Sequence, residues 1–248
     1  MKAACVTLAT NKKYLKGAAL LYMSYLKYGN YHPFYVMVYA DQDVSGYEFL
    51  PLLVVPKVKP KNKDHYTYQK NFPLSPDIFS KINVWLFEEF DYILFVDADY
   101  VFLEKCDFFI RDCIDTLKAT KTDMIVPSLY DFSINKEIHK CFDASSFFIK
   151  PNRNTFFELL NNIDTCETEE ILFYNLYKNN KINIWYPGLD IDTNELMSYK
   201  KDKYLLHMGG TRNDNIWKKE LGVQKDKKVK YWECKEGLLL FKQLMEKK

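Results

Sequence analysis

The sequence predicts an α/β fold with a mostly parallel central sheet flanked by helices. Short apolar runs at 3–9, 34–39 and 92–96 lack the polar alternation of a half-exposed strand, as strands covered on both faces do. Between the first two, Leu15, Ala18, Ala19, Tyr22, Tyr25 and Leu26 recur at helical spacing, and Gly29-Asn30 supplies a stop. A β-α-β opening of this kind favours a doubly wound sheet with right-handed crossovers.

The first strand closes at Thr10-Asn11, the helix follows, Phe34–Tyr39 is the second strand and Leu53–Val55 a short third. Residues 56–76 are rich in Lys and Pro and read as a long surface loop, a length that lids and binding loops often have. A helix is expected at about 77–90, with Ile78, Ile82, Trp85 and Leu86 on one face. Tyr92–Val96 is the most strand-like run and ends at Asp97-Ala98-Asp99. Beyond it the pattern predicts a helix near 107–118, a strand at Met124–Val126 and an apolar run at Ser146–Ile149. Helices at about 153–161 and 168–178, strands at Ile182–Trp185 and Tyr204–Leu206, and an amphipathic helix at about 231–246 complete the chain. With no internal repeat and no low-complexity linker, one domain is expected, with a core over about 1–217 and a C-terminal loop and helix over 218–248.

Composition narrows the function classes. Hydrophobic residues at 48% and aromatics at 17% supply a sizeable core, which excludes intrinsic disorder. A net charge of +2 gives no electrostatic case for nucleic-acid binding, and Lys225, Lys227, Lys228 and Lys230 read as a solvated loop. The six cysteines (Cys5, Cys106, Cys113, Cys141, Cys166 and Cys234) form no CxxC pair, so neither zinc spacing nor a disulfide framework is expected. They read as small hydrophobes in a reducing compartment. No uncharged run approaches the ~18–20 apolar residues of a membrane span. The opening segment runs at once into Asn11-Lys12-Lys13 and lacks a small-residue cleavage pattern. A cytoplasmic protein without signal peptide or transmembrane segment is the expectation.

Three Asp-x-Asp triplets are candidates for chemistry: Asp41-Gln42-Asp43, Asp97-Ala98-Asp99 and Asp190-Ile191-Asp192. Context favours the second, because ligands of open α/β sheets bind beyond the carboxyl ends of strands. Two carboxylates beside apolar surroundings need a cation or a full hydrogen-bond set, and carboxylate oxygens suit Mn²⁺ or Mg²⁺. The same run also fits the hydrophobic-strand and DxDx[TV] pattern of haloacid-dehalogenase-type phosphatases, where the first Asp is nucleophile and metal ligand. That alternative would need a second acidic pair, for which Asp190 and Asp192 are the candidates, although they follow Pro187-Gly188 and look loop-borne. His207 ends a strand-like run and opens His-Met-Gly-Gly-Thr-Arg. Glycines there let the backbone approach phosphate, Arg pairs with it, and imidazole can complete a mixed shell for Mn²⁺. His32, His65 and His139 lie in loop-like or polar stretches and are assigned no chemistry.

Several ordered segments together resemble a known family. Val6-Thr7-Leu8-Ala9-Thr10-Asn11-Lys12-Lys13-Tyr14-Leu15-Lys16-Gly17-Ala18 is similar to an opening VTLxTNxxYxxGA segment, and Ser80-Lys81-Ile82-Asn83-Val84-Trp85 to a TKLxxW helix. Phe142 to Pro151 resembles FNSGVFVxxP, and His207 to Trp217 resembles HxxGxxKPW. These are segments of glycogenin and its relatives in glycosyltransferase family 8, and the resemblance covers most of residues 3–217. It implies a single GT-A-type, Rossmann-like domain and retaining transfer of a hexose, most readily glucose, from a UDP-sugar. The acceptor would be a protein, a glycan or a small molecule, and the assembly a homodimer.

Carried over by position, the resemblance implies that Leu8, Thr10, Asn11 and Tyr14 hold uracil and ribose, and that Lys81 reaches the diphosphate or the sugar. Asp97 and Asp99, flanking Ala98 in the nucleotide-sugar site, would coordinate Mn²⁺ with His207. Gly210 and Arg212 would contact phosphate, and Asp143 and Ala144 would line the sugar pocket. Glu169 and Glu170 fall where the family has an Asp-Gln pair, which makes them, with Asp143, the acidic candidates at the reaction centre. Asp143-Ala144-Ser145 replaces Asn-Ser-Gly, and the Lys-Pro-Trp ending is altered, with Arg212 in place of Lys and Trp217 displaced. Those changes keep a catalytically degenerate nucleotide-sugar-binding protein among the alternatives. Tyr199 is the candidate for the family's self-glucosylated tyrosine.

Overall fold

Residues 1–68, 75–134, 137–186 and 205–207 are described by a computed structural model. Eleven strands are present among them: β1 (Ala3–Leu8), β2 (Phe34–Val38), β3 (Leu52–Val54), β4 (Tyr92–Val96), β5 (Tyr100–Phe102), β6 (Met124–Ile125), β7 (Leu129–Ile134), β8 (Glu137–Phe142), β9 (Ser146–Ile149), β10 (Ile184–Trp185) and β11 (Leu205–His207). Helices α1 (Lys12–Lys27), α2 (Asp107–Thr120), α3 (Arg153–Asn162) and α4 (Glu169–Lys178) accompany them. The central sheet has the order β10-β6-β9-β4-β1-β2-β3. All neighbours are parallel except at β9, which runs antiparallel to both β4 and β6. This is the mostly parallel α/β sheet that the apolar runs predict, with one reversed strand beside its centre.

The absence of polar alternation in β1 and β4 follows from burial on both faces. Ala4, Val6 and Leu8 join Ile93 and Phe95 in one core with Phe79, Trp85, Phe147 and Phe173. Ala3 and Cys5 join Leu94 and Val96 in a second core with Leu15, Leu21, Phe109 and Ile110 of α1 and α2. Neighbouring residues of one strand thus fill opposite layers, as the two-residue period of a strand dictates. Cys5, Cys106, Cys113, Cys141 and Cys166 are all buried in these cores. No helix among the described residues is long and apolar enough to cross a membrane.

Three expectations change. The helix expected at about 77–90 is instead a 3₁₀ helix, Pro76–Leu86, capped by Ser75. Every residue from Phe79 to Trp85 is buried, so the segment is enclosed on all sides and has no single apolar stripe. The loop before it folds into a short 3₁₀ turn at Tyr66–Tyr68. Strand β5 and the β7–β8 hairpin carry too short or too polar a pattern to be expected from sequence. β8 reads Glu-Ile-His-Lys-Cys-Phe, and only Cys141 and Phe142 of it are buried. The expected helix at 231–246, and the proposed boundary at 217, lie outside the described residues.

Trp85 ties the 3₁₀ helix to the sheet: its ring stacks on Phe147 at 5.5 Å and meets Phe173 at 5.6 Å. Trp85→Ala is expected to remove about 3–5 kcal/mol of stability, the range for emptying a large aromatic site in a core. Urea denaturation followed by circular dichroism measures this, and a loss below about 1 kcal/mol would contradict the assigned packing.

Candidate functional site

Strands β1 and β4 are parallel neighbours, with Val6 opposite Phe95, so their carboxyl ends emerge side by side. On the β1 side, Asn11 caps α1, its side-chain oxygen accepting from the amides of Lys13 at 3.0 Å and Tyr14 at 3.2 Å. The cap sets Thr10, Asn11 and Tyr14 along one edge of a cleft of about 480 Å³. On the β4 side, Asp97-Ala98-Asp99 forms a turn into β5: the Tyr100 amide donates to the Asp97 carbonyl at 3.2 Å, and the Asp97 amide donates to the Ser145 carbonyl at 2.8 Å. Ala98 packs against the core, and Asp97, Ala98 and Asp99 all line the cleft.

At the other end, Thr168 caps α4 by accepting from the Ile171 amide at 3.3 Å, and this places Glu169 and Glu170 in the first helical turn. Acidic residues are favoured there by the helix dipole. Both line the same cleft, whose walls are completed by Leu8, Lys13, Ser75, Ile78 and Thr168.

Lys81 sits at the centre. Its ammonium lies 3.0 Å from one oxygen of Asp97 and 3.2 Å from the other, and donates at 2.8 Å to Glu169 and at 3.2 Å to the Ala144 carbonyl. Burial works against the Lys81 charge, but the carboxylates of Asp97 and Glu169 more than offset it and raise its pKa. The reverse holds for Asp97: burial pushes its carboxyl up to about 6, Lys81 opposes this, and the Asp99 charge adds to it. Glu170 is pushed up to about 7, first by burial and then by the charge of Glu169. A hydrogen bond with Tyr130 and the charge of Lys81 act in the opposite direction, and Asp143 adds a further upward push.

Sequence reasoning brings Leu8, Thr10, Asn11, Tyr14, Lys81, Asp97, Ala98, Asp99, Glu169 and Glu170 into one candidate site, and all ten line this cleft. Asp143 and Ala144 are not part of its lining. Ala144 is fully buried, and Asp143 accepts from the amide and hydroxyl of Ser145, whose hydroxyl also bonds the Tyr100 phenol at 2.8 Å. His207 is described by its backbone: β11 pairs antiparallel with β5, and His207 stands opposite Tyr100, one residue beyond Asp99. Gly210, Arg212, Tyr199, Asp190 and Asp192 lie outside the described residues. Asp41 and Asp43 are exposed and paired with Lys57 and Lys12, each at 2.7 Å, as expected of solvated turn residues. Tyr130 is the partner that sequence reasoning missed; one of nineteen tyrosines, in a polar hairpin, carries no signal.

Among the described residues, no group of three or more His, Cys, Asp or Glu side chains is placed to hold a metal ion. The donor set still fits one. Four carboxylates line the cleft (Asp97, Asp99, Glu169 and Glu170) against two ammonium groups (Lys13 and Lys81), which leaves negative charge for a cation to balance. Oxygen donors of this kind suit a hard divalent ion.

No protein-family model and no curated protein matches the chain. Solved structures do share its fold. The WbbM bifunctional glycosyltransferase aligns with a TM-score of 0.57 at 11% identity, over 99% of this chain and 50% of that one. An active-site mutant of LgtC aligns with a TM-score of 0.55 at 11% identity, over 97% and 94% of the two chains. The glycosyltransferase GlyE of Streptococcus pneumoniae TIGR4 aligns with a TM-score of 0.52 at 12% identity, over 99% and 62%. The chain thus spans half the length of WbbM and less than two thirds of GlyE. At this identity the likeness establishes the fold, a GT-A-type α/β domain, and it lends no support to the phosphatase alternative.

Lys81→Met should leave Asp97 and Glu169 facing each other without a counter-ion, a loss of about 3–5 kcal/mol for breaking a buried pair. Adding Glu169→Gln should recover part of it; no recovery in urea denaturation would contradict the clamp. Glu170 gives a second expectation. Its folded pKa of about 7 lies above its ordinary value of 4.5, so the stability it contributes below pH 4.5 is lost as pH rises through 7. Glu170→Gln should therefore gain on the wild type over that window, by on the order of 2–3 kcal/mol above pH 7. Melting temperatures from pH 5 to pH 8 measure this, and a constant gap between the two proteins would contradict it.

Proposed function

We propose that this chain is a metal-dependent, retaining glycosyltransferase that moves a hexose, most readily glucose, from a UDP-sugar to a carbohydrate, protein or small-molecule acceptor. The observation that carries the reading is the charge balance of the cleft at the strand carboxyl ends. A diphosphate entering alone would meet four carboxylates and two ammonium groups. A divalent cation entering with it would offset that charge, and Asp97 and Asp99 line the cleft just beyond the carboxyl end of β4. The GT-A-type fold, which is shared with solved glycosyltransferases, supports the same reading.

The residues divide the work along the sheet. At the β1 end, Tyr14 offers a ring for the uracil, while Thr10 and Asn11 offer polar atoms for ribose, the Asn11 amide nitrogen donating to the Thr10 hydroxyl at 3.4 Å while its oxygen caps α1. Leu8 closes the floor. At the β4 end, Asp97 and Asp99, with His207 as third ligand, hold Mn²⁺, or Mg²⁺ in its place. When bound, the cation stabilises the charge that develops on the departing diphosphate. Gly210 and Arg212 add contacts to phosphate. At the α4 end, Glu169 and Glu170 orient the sugar hydroxyls, with Asp143 supporting the turn behind them. Leaving-group stabilisation is the main chemical need, since the bond that breaks gives an oxocarbenium-like centre. Lys81 pairs with Asp97 and Glu169 and holds both in place before the donor arrives.

The core of this activity is assigned to residues 1–217, in a cytoplasmic setting and as a homodimer. Tyr199 is the residue to examine for self-glucosylation.

UDP and Mn²⁺ together should raise the melting temperature more than either alone, because ligands that bind only the folded state stabilise it. Asp97→Asn with Asp99→Asn should abolish the increase. An unchanged response in that double variant would sink the metal assignment. A hydrolysis panel of UDP-sugars should show turnover, greatest with UDP-glucose; no turnover with any of them would leave a binding protein and not an enzyme.

A further inference from the structure

Residues 97–100 form the turn that carries the Asp97 and Asp99 carboxylates from β4 into β5, and one residue outside the turn grips both of its ends. The Asp97 amide donates to the Ser145 carbonyl at 2.8 Å. At the other end, the Tyr100 phenol and the Ser145 hydroxyl are 2.8 Å apart. Ser145 is itself held from behind: its amide donates to Asp143 Oδ1 at 3.0 Å, and its hydroxyl donates to the same oxygen. A serine hydroxyl has one proton, so with that proton on Asp143 the second bond runs from the Tyr100 phenol to Ser145 Oγ. Asp143 is anchored in turn by its amide, which donates at 3.0 Å to the carbonyl of Ser128, the residue before β7. Tyr100 is only 2% exposed, so its phenol needs a partner of this kind. Its amide closes the turn on the Asp97 carbonyl at 3.2 Å.

The bonds between Asp143 and Ser145 alone would make an ordinary local turn. The link to Tyr100 goes further, since it joins residues 45 apart in the chain. Tyr100 is also the residue that stands opposite His207 where β5 pairs with β11. We propose that Ser145 is a positioning residue for the metal site: holding Asp97 through its carbonyl and Tyr100 through its hydroxyl, it fixes the turn that bears Asp97 and Asp99 relative to the strand that bears His207. This rests on the metal-dependent reading above. The carbonyl bond is open to any residue at 145, whereas the hydroxyl bond needs Ser or Thr. The same network gives Asp143 a place in the site although it does not line the cleft. Groups that orient metal ligands without touching the ion commonly change its affinity by about ten- to a hundredfold when removed. Loss of the Ser145 hydroxyl should therefore appear first in metal affinity.

The test uses the full chain as wild type, Ser145→Ala, Ser145→Thr and Tyr100→Phe. Mn²⁺ is titrated in the presence of UDP, with free Mn²⁺ measured by electron paramagnetic resonance. Ser145→Ala should weaken Mn²⁺ binding on the order of tenfold, and Tyr100→Phe should weaken it in the same direction. Ser145→Thr, which keeps the hydroxyl, should bind as the wild type does. In UDP-glucose hydrolysis, the Mn²⁺ concentration for half-maximal rate should rise in Ser145→Ala by a larger factor than the rate at saturating Mn²⁺ falls. The proposal is overturned if Ser145→Thr is as weak as Ser145→Ala. A Ser145→Ala rate lowered by one factor at every Mn²⁺ concentration would also overturn it, since that marks a structural role. Wild-type Mn²⁺ affinity in both Ser145→Ala and Tyr100→Phe would overturn this proposal alone. A wild type that takes up no Mn²⁺ with UDP would overturn the metal reading and this proposal with it.

Discussion

The site depends on one ammonium group. Lys81 reaches Asp97 from β4, Glu169 from α4 and the Ala144 carbonyl from the turn before β9, and these three come from parts of the chain that share no local sequence. Each carboxylate alone would be costly to bury, and each would drive its neighbour toward the neutral form. Held around Lys81, both have a counter-ion at 3.0 Å or less without a ligand. The position of Lys81 itself follows from the enclosed 3₁₀ helix, whose Trp85 packs against both Phe147 and Phe173. Core packing on one face of the sheet is thus what fixes the geometry of the charges at its edge.

The reversed strand β9 contributes to the same arrangement. Because it runs antiparallel to β4, Val96 pairs with Ser146, and the residues just before β9 meet those just after β4. The Asp97 amide consequently donates to the Ser145 carbonyl, and Ser145 links Tyr100 to Asp143 through its hydroxyl. A parallel strand at this position would have carried residues 143–145 to the opposite end of the sheet. The reversal thus sets the 143–145 turn beside the Asp97–Asp99 turn.

Much of this was legible in the sequence where burial is two-sided. The runs Ala3–Leu8 and Tyr92–Val96 stand out because both faces are apolar, and the position of Asp97 at the end of one of them distinguishes it from Asp41 and Asp43, which are exposed and paired with lysines. Among the ten cleft residues named from sequence, Asp97, Ala98 and Asp99 leave a local signal at a strand end, whereas Leu8, Thr10, Asn11, Tyr14, Lys81, Glu169 and Glu170 were named through the family resemblance. What left none is the long-range pairing. Lys81 is 88 residues from Glu169, and its clamp could not be read as anything but a cation near phosphate. The hairpin is half-exposed and polar, so its strands do not show in the pattern. The 3₁₀ winding of Pro76–Leu86 was hidden because apolar residues on every side imitate a helical stripe when only some of them are counted.

The central claim is that the carboxylate-rich cleft takes a diphosphate and a divalent cation together, with Asp97 and Asp99 as shared ligands. Crystals grown with UDP and Mn²⁺ and measured near the manganese absorption edge test it most directly. The account predicts one anomalous peak at coordinating distance from the carboxylates of both residues and from the diphosphate oxygens. A peak elsewhere, or UDP seated in the cleft with no metal between it and Asp97 and Asp99, would contradict it.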